Sequence, residues 1–439
     1  MLDVLDVRRA PLDRGQLVAA VIDSPVPGSH ADGHALDITG WVLGTRARAE
    51  SIEIVGDHGI IRSVPVRLPR PDVAGRFPQV EGAEASGFHA AVGLAGLGPR
   101  FELGVRALLA DGTRAPIATV LGTRTPMSVD SGSLLQPIIV TSLGRTGTTW
   151  LMRLLLENPQ IVVHPAHPHE VHAAAYWAHL FKVLSEPADH LNSAHPDGFR
   201  TTLSRAGHHP FFGPPVTTEH AMRDWFGQEY PWRLASFATG ATDSFYRRMA
   251  DTQAKAGARY FAEKFQPDLI PCLMWELYPQ GREVVLVRDF RDVVCSVLAF
   301  NRKRGFADFG RESVTTDEEY VALLSSHCRW LLEAYRSRAD RAYLLHYEDL
   351  ILRPADSLGG LLSYLGLPAS TQVVGGMLDR ASALDGPLAN HRTTRDARGS
   401  VGRWRREMDP SLQRACEESL SQVLADFGYE SSVSEVAHG

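Results

Sequence analysis

The stretch Thr141-Ser-Leu-Gly-Arg-Thr-Gly-Thr-Thr-Trp150 constrains this chain more than any other. The apolar run Pro137-Ile-Ile-Val140 precedes it and Leu151-Met-Arg-Leu-Leu-Leu156 follows, so the segment reads as strand, tight turn and helix. Such a turn aims backbone N–H groups and a helix N-terminus at one point, which predicts a seat for a phosphate. A Walker-type loop carries Lys after its last Gly and another Gly five positions before that last Gly. Here Thr148 follows Gly147, Ser142 stands at the earlier position, and the basic side chain is Arg145. The expectation is a nucleotide phosphate without a magnesium-bound triphosphate.

Two later segments extend the pattern. Val284-Val-Leu-Val-Arg-Asp-Phe-Arg-Asp-Val-Val-Cys-Ser296 ends a buried-type strand on Arg288 and places Ser296 on the next helix. Arg398-Gly-Ser-Val-Gly-Arg-Trp-Arg405 is a basic, glycine-bearing loop near the C-terminus. Together the three segments resemble those that hold the donor in sulfotransferases using 3′-phosphoadenosine 5′-phosphosulfate (PAPS). The resemblance implies that Arg145 neutralises the 5′-phosphate while the backbone of Thr146, Gly147, Thr148 and Thr149 cradles it. It implies that Trp150 stacks on adenine, although an inward-facing aromatic in a first helical turn is an equal reading. It implies that Arg288 and Ser296 grip the 3′-phosphate, a task suited to the planar fork of Arg. Arg398, Gly399 and Arg403 would close over the nucleotide. Relatives often carry Arg-Lys-Gly where this chain has Ala397-Arg398-Gly399. The segment His346-Tyr-Glu-Asp-Leu-Ile-Leu-Arg-Pro354 resembles the family's YEDL element.

Lys264 ends the run Arg259-Tyr-Phe-Ala-Glu-Lys264, where cytosolic relatives carry a Lys that stabilises the moving sulfuryl group. Their catalytic His lies two residues further on; this chain has Gln266, which takes no proton at neutral pH. A branch that includes Golgi carbohydrate and tyrosine sulfotransferases uses a Glu after the second strand. Glu170, following Gln160-Ile-Val-Val-His164 and opening the next predicted helix, is the expected base. Complementing a helix N-terminus is its simpler reading. His164, His167, His169 and His172 invite a metal, but Pro165 and Pro168 break the run and no Cys joins it, so no metal is expected. One of these histidines is an alternative base or acceptor-orienting group. The catalytic set is therefore Glu170, Lys264 and Arg145.

With 439 residues, 44% hydrophobic and 22% charged, the composition is that of a soluble globular protein of two or three domains. A net charge of −6 provides no global field for nucleic acid or anionic membrane, so anions must meet local clusters such as Arg302-Lys-Arg304 and Arg392, Arg395, Arg398, Arg403, Arg405 and Arg406. Cys272, Cys295, Cys328 and Cys416 form no CxxC pair and read as buried thiols of a reducing compartment. The N-terminus lacks a signal-peptide pattern and no run suits a membrane helix, so a cytoplasmic location is expected.

Residues 1–125 read as seven short strands of an all-β sandwich: Leu17–Ile22, Ala35–Leu43, Ser51–Val55, Ile60–Leu68, Gly87–Leu94, Phe101–Leu109 and Pro116–Leu121. Asp57-His-Gly59 and Asp111-Gly112 are expected hairpin turns, and Trp41 and Phe88 expected core. Residues 126–134, with Ser128, Ser131 and Ser133, read as a linker. From 135 to 439 strands alternate with helices, predicting a doubly wound parallel α/β sheet with its ligand at the strand C-termini. The predicted helix Asp317–Arg338 turns Tyr320, Leu323, Leu324, His327, Trp330, Leu331 and Tyr335 inward. Ser185–Thr242, with His208-His-Pro-Phe-Phe212, is a candidate acceptor pocket or lid, or else a helical subdomain.

The resemblance implies transfer of a sulfuryl group from PAPS to a hydroxyl of a carbohydrate, glycolipid or natural product. The rival readings are a P-loop nucleotide kinase or NTPase, which the missing Walker lysine disfavours, and a non-catalytic carbohydrate-binding protein.

Overall fold

The computed structural model describes residues 2–31, 33–56, 59–127, 129–130, 132, 134–186, 225–305, 309–382, 393–394 and 396–430. Expectations on Asp57, His58, Ser128, Ser131, Ser133, His208, Phe212, Arg392 and Arg395 lie outside the described residues. The chain divides into two compact units, one of Met1–Asp130, Tyr176–Ala241 and Cys272–Pro279, the other of Ser131–Ala175, Thr242–Pro271 and Gln280–Gly439.

The first unit is built on a sandwich. Its strands are β1 (Leu2–Arg9), β2 (Leu17–Ser24), β3 (His30–Ala31), β4 (Ala35–Gly44), β5 (Ala49–Gly56), β6 (Gly59–Pro65), β7 (Gly87–Gly93), β8 (Arg100–Leu109) and β9 (Arg114–Arg124). One sheet has the order β3-β1-β9-β8-β5-β6, the other β2-β4-β7, and all pairs are antiparallel. Alternating residues of both sheets, among them Val4, Ile38, Ile52, Phe88, Leu103 and Val120, meet in one apolar core. The seven expected strands are all present, and β1 and β3 are additions. In β1 the inward Leu2 and Val4 alternate with exposed positions, and the run pairs along β9. Phe88 lies in the main core, whereas Trp41 packs in a second cluster with Val73, beneath the short helix α1 (Pro71–Arg76), its ring 5.8 Å from Phe77.

Part of the expected linker is fixed in this unit. Arg124 makes a two-pronged ion pair with Glu276 (2.9 and 2.5 Å), and Glu276 Oε1 accepts the Met127 N–H at 2.9 Å. Met127 and Val129 are buried.

The second unit carries the parallel sheet of β10 (Gln136–Thr141), β11 (Ile161–Val162), β12 (Tyr260–Phe265), β13 (Arg282–Val287) and β14 (Ala342–His346), ordered β11-β12-β10-β13-β14. Every pair in it is parallel. One face packs against α2 (Thr148–Leu156) together with the helices Tyr347–Leu352, Pro354–Tyr364 and Thr371–Ser382; Ile138, Val140, Ala262 and Leu286 point that way. The other face, with Val285 and Val287, packs against Phe290–Arg304, Asp317–Arg336 and Pro410–Asp426. The sheet is doubly wound, as the alternating pattern predicted. The connection after β10 runs to β11 on the β12 side and the one after β13 runs to β14 on the other side, so a crevice opens between β10 and β13 at their C-terminal ends.

Two local expectations change. The helix after β11 starts at Ala173 rather than Glu170, because His169 (φ 65°) and His172 (φ 51°) adopt left-handed backbone that no right-handed helix accommodates. In Asp317–Arg336, Tyr320, Leu324, Cys328 and Leu331 form the buried stripe, while His327 is half-buried and Trp330 is 48% exposed.

Candidate active site

The crevice at the end of β10 opens into a cavity of about 930 Å³ within the second unit, lined by Arg145, Gly147, Thr148, Thr149, Trp150, Glu170, His172, Lys264, Gln266, Arg288, Ser296, Tyr347, Arg398 and Ser400, among others. That volume lies at the upper end of roughly 300–1,000 Å³ for ligand pockets. The three sequence segments singled out above therefore border one space.

The loop after β10 is shaped by its two left-handed residues, Arg145 (φ 65°) and Gly147 (φ 99°), the latter heading α2. Thr146 is fully buried: its hydroxyl meets the Ser142 hydroxyl at 2.5 Å and donates to the Leu143 carbonyl at 2.9 Å. Its side chain thus braces the turn and does not line the cavity. Thr148 and Thr149 do line it, and Thr149 Oγ1 accepts from Lys264 Nζ at 3.2 Å. Trp150 both lines the cavity and packs on the core beside α2.

Arg288, at the end of β13, is 4% exposed. It donates to the carbonyls of Arg145 (3.2 Å) and Ser400 (2.7 Å), and its guanidinium carbon lies 4.7 Å from the centre of the Tyr347 ring. Its Nε is buried without a hydrogen-bond partner. Burying a cation and an unsatisfied donor is costly unless an anion completes the site. Arg145 reaches the same place. Its Nε donates to Ser296 Oγ at 3.3 Å, and its guanidinium lies over Phe300 at 4.6 Å. Burial first, then the charges of Arg288 and Arg403, push its pKa down to about 10. Arg145 therefore sits at the Ser296 end of the cavity, whereas the resemblance had assigned it to the 5′-phosphate.

The C-terminal loop is clasped to the same region. The buried carboxylate of Asp292 accepts the N–H groups of Gly402 (2.7 Å) and Trp404 (2.9 Å), and Tyr347 OH meets Ser400 Oγ at 2.9 Å. Arg398 is exposed at the cavity edge. Gly399 stands behind it, its N–H bonded to Asp396 at 2.6 Å. Arg403 lies outside the lining: it pairs with Glu407 at 2.6 Å and donates to Thr393 Oγ1 at 2.7 Å, so it acts on the cavity through Thr393, a lining residue. Tyr347, Ser400 and Asp292 were not picked out from sequence. Only the fold brings them to the loop, and the YEDL resemblance was their one local trace.

Lys264 closes the other end. Its Nζ donates to Glu170 Oε1 (2.6 Å) and the Pro168 carbonyl (2.9 Å), and burial lowers its pKa. The nearby His172, whose Nε2 is 3.9 Å from Glu170 Oε2, and the ammonium of Lys264 hold the Glu170 carboxyl down at about 2, against burial. Glu170 does not cap the following helix. That role belongs to the buried Glu263, which accepts the N–H groups of Ala174 (2.7 Å) and Ala175 (3.2 Å). Among the described residues no group of His, Cys, Asp and Glu is arranged to hold a metal ion. Nor is any helix among them long and apolar enough to cross a membrane.

Similar solved structures include the sulfotransferase domain of the Synechococcus PCC 7002 olefin synthase: 20% identity, 70% of this chain and 99% of that chain covered, TM-score 0.40. They include sulfotransferase STF9 of Mycobacterium avium: 14% identity, 68% and 78% covered, TM-score 0.34. They also include a mouse sulfotransferase complexed with PAP: 12% identity, 66% and 84% covered, TM-score 0.34. No curated protein matches the chain. The sulfotransferase family profile matches residues 137–371, just over half of the sequence, and spans the loop, Glu170, Lys264, Arg288, Ser296 and Tyr347. The chain belongs to the sulfotransferase family.

Proposed function

We propose that this protein transfers the sulfuryl group of PAPS to a hydroxyl of a carbohydrate, glycolipid or natural product and releases 3′-phosphoadenosine 5′-phosphate (PAP). The observation that carries this reading is the buried Arg288, with its Nε unpaired, lining one cavity together with the Arg145–Ser296 pair and the Gly147 loop. A bisphosphorylated nucleotide answers such a site at both ends. Its 3′-phosphate would meet Arg288, Arg145 and Ser296. Its 5′-phosphate would meet the backbone of Gly147, Thr148 and Thr149 at the N-terminus of α2. Trp150 offers a flat partner for adenine, and Arg398 a mobile-length cation at the cavity edge.

The acceptor oxygen attacks sulfur, the bond from sulfur to the bridging oxygen breaks, and the electron pair leaves on the 5′-phosphate. Charge builds on that leaving oxygen, so a positioned cation lowers the barrier. Lys264, beside Thr149, supplies it once the anionic donor competes with Glu170 for the ammonium. Glu170 holds the lysine in register before the donor arrives. A carboxyl held near 2 is a weak proton acceptor, which argues against Glu170 as the base itself.

The domain assignment that goes with this reading is a β-sandwich over 1–125, a connection over 126–134 and the catalytic domain over 135–439. The lack of a Walker lysine after Gly147 and the placement of Arg145 ahead of it speak against a magnesium-bound triphosphate. The test is to incubate the full chain with PAPS and a panel of hydroxyl compounds and to look by mass spectrometry for an added sulfate together with PAP. Sulfated product and PAP in equal amounts are expected. Phosphorylated product from ATP–Mg, with PAPS left intact, would overturn the proposal.

A further inference from the structure

The proton of the acceptor hydroxyl needs a destination that neither Gln266 nor the strongly acidic Glu170 provides well. Building on the sulfotransferase reading, we propose that His172 is the proton acceptor and that Glu170 couples it to Lys264.

The geometry is a short relay on one cavity wall. Glu170 offers one oxygen, Oε1, to Lys264 Nζ at 2.6 Å and the other, Oε2, to His172 Nε2 at 3.9 Å, and all three side chains line the cavity. The longer distance is not a hydrogen bond, and it becomes a charge contact once the imidazole is protonated. In the neutral imidazole one ring nitrogen carries no proton and can accept one. His172 keeps about half of its side chain exposed, so an acceptor can reach it. Its backbone is held at φ 51°, a conformation uncommon outside glycine, which persists where surrounding structure enforces it. Arg145, across the same cavity, shares that feature at φ 65°.

The charged groups facing His172 are Glu170 from its own segment and Glu263 and Lys264 from β12; Asp268 also lines the cavity. Glu170 is the strongest influence and raises the imidazole pKa, Glu263 adds to it, and burial and Lys264 oppose it. The outcome is an imidazole held above its ordinary 6.5, and a positioned imidazole is the commonest general base. In the reaction the acceptor O–S bond forms, the bond from sulfur to the bridging oxygen breaks toward the 5′-phosphate, and the hydroxyl proton passes to His172. The imidazolium so formed faces the Glu170 carboxylate just as Lys264 turns to the donor.

The test uses His172→Asn in the full chain, because Asn tolerates left-handed backbone. PAP release from PAPS is followed across pH with naphthol as probe acceptor and with water alone. The wild-type rate should rise through one ionisation above 6.5, and the variant should lose that ionisation and roughly 10²–10⁴-fold in rate. The thermal stabilisation by PAP should be unchanged, which shows that the variant folds and binds. A variant that keeps the ionisation, or a rate close to wild type, overturns the proposal. A second readout needs no turnover: NMR titration of the histidine rings should show the His172 pKa falling in Glu170→Gln, and an unmoved value overturns the coupling. Failure of the wild type to bind PAP would instead sink the sulfotransferase reading itself.

Discussion

Gly147 has no room for a side chain. A Cβ there would stand 2.3 Å from Tyr347 Cδ2, and its φ of 99° already excludes most residues. Gly147→Ala should therefore cost roughly 1–3 kcal/mol in strain alone and push Tyr347 off the loop. Thermal unfolding with and without PAP should show a lower midpoint and no stabilisation by the nucleotide. A variant with wild-type values in both would show that this contact does not shape the site. At this scale the sequence was informative about chemistry and weak about partners. The Gly147 loop stood out by its own strand–turn–helix pattern, and Arg288, Ser296 and Lys264 by the resemblance to sulfotransferases. The approach of Arg145 to Ser296 joins groups 151 residues apart. The bond from the Thr146 hydroxyl to Leu143 and the i,i+4 pair of Arg403 with Glu407 are local, but they are set by loop and rotamer geometry that residue spacing does not encode.

Helices with explicit start signals were legible. Thr316 and Glu319 form a capping box ahead of Asp317–Arg336, and Asp409 with Pro410 opens the last helix. The helix Leu269–Leu277 carries no such signal, because its nearly continuous apolar run contains Pro271 and shows no amphipathic period. Thr371–Ser382 is no easier to read, with the poor helix formers Gly375 and Gly376 at its centre. Two buried carboxylates tie elements together and give opposite kinds of prediction. Arg338 holds Glu283 of β13 at 2.7 Å, and Thr141 of β10 donates to the same carboxylate at 2.6 Å. Arg338→Met should destabilise by roughly 3–5 kcal/mol, read by urea unfolding, because it strips a buried carboxylate of its cation. A loss within experimental error would contradict a fixed pair.

Asp292 behaves differently. Burial, partly offset by Arg288, raises its pKa from 3.8 to about 6. Because the folded value is the higher one, the stability linked to its protonation is complete below about 4 and is lost as pH rises through about 6. Urea unfolding between pH 4 and 6 should therefore show wild type gaining on acidification relative to Asp292→Asn, by up to about 1.4 kcal/mol per pH unit. Parallel curves for the two proteins would contradict the assignment.

For the molecule as a whole, period-two and period-3.6 patterns predicted a β-sandwich followed by a doubly wound sheet, and both units are built that way. The merging of three distant segments into one cavity follows from β10 lying between β12 and β13. Pattern alone does not specify that order. The central claim is that one adenosine carrying phosphates at both its 3′ and 5′ positions fills the cavity. Calorimetric titration of the full chain with PAP, with 5′-AMP and with ATP–Mg tests it most directly, with Arg288→Ala as the companion. PAP should bind at least tenfold more tightly than 5′-AMP, since a charge-assisted pair contributes roughly 1.5–3 kcal/mol, and Arg288→Ala should erase that difference. Equal affinity for PAP and 5′-AMP in the wild type, or tighter binding of ATP–Mg than of PAP, would contradict it.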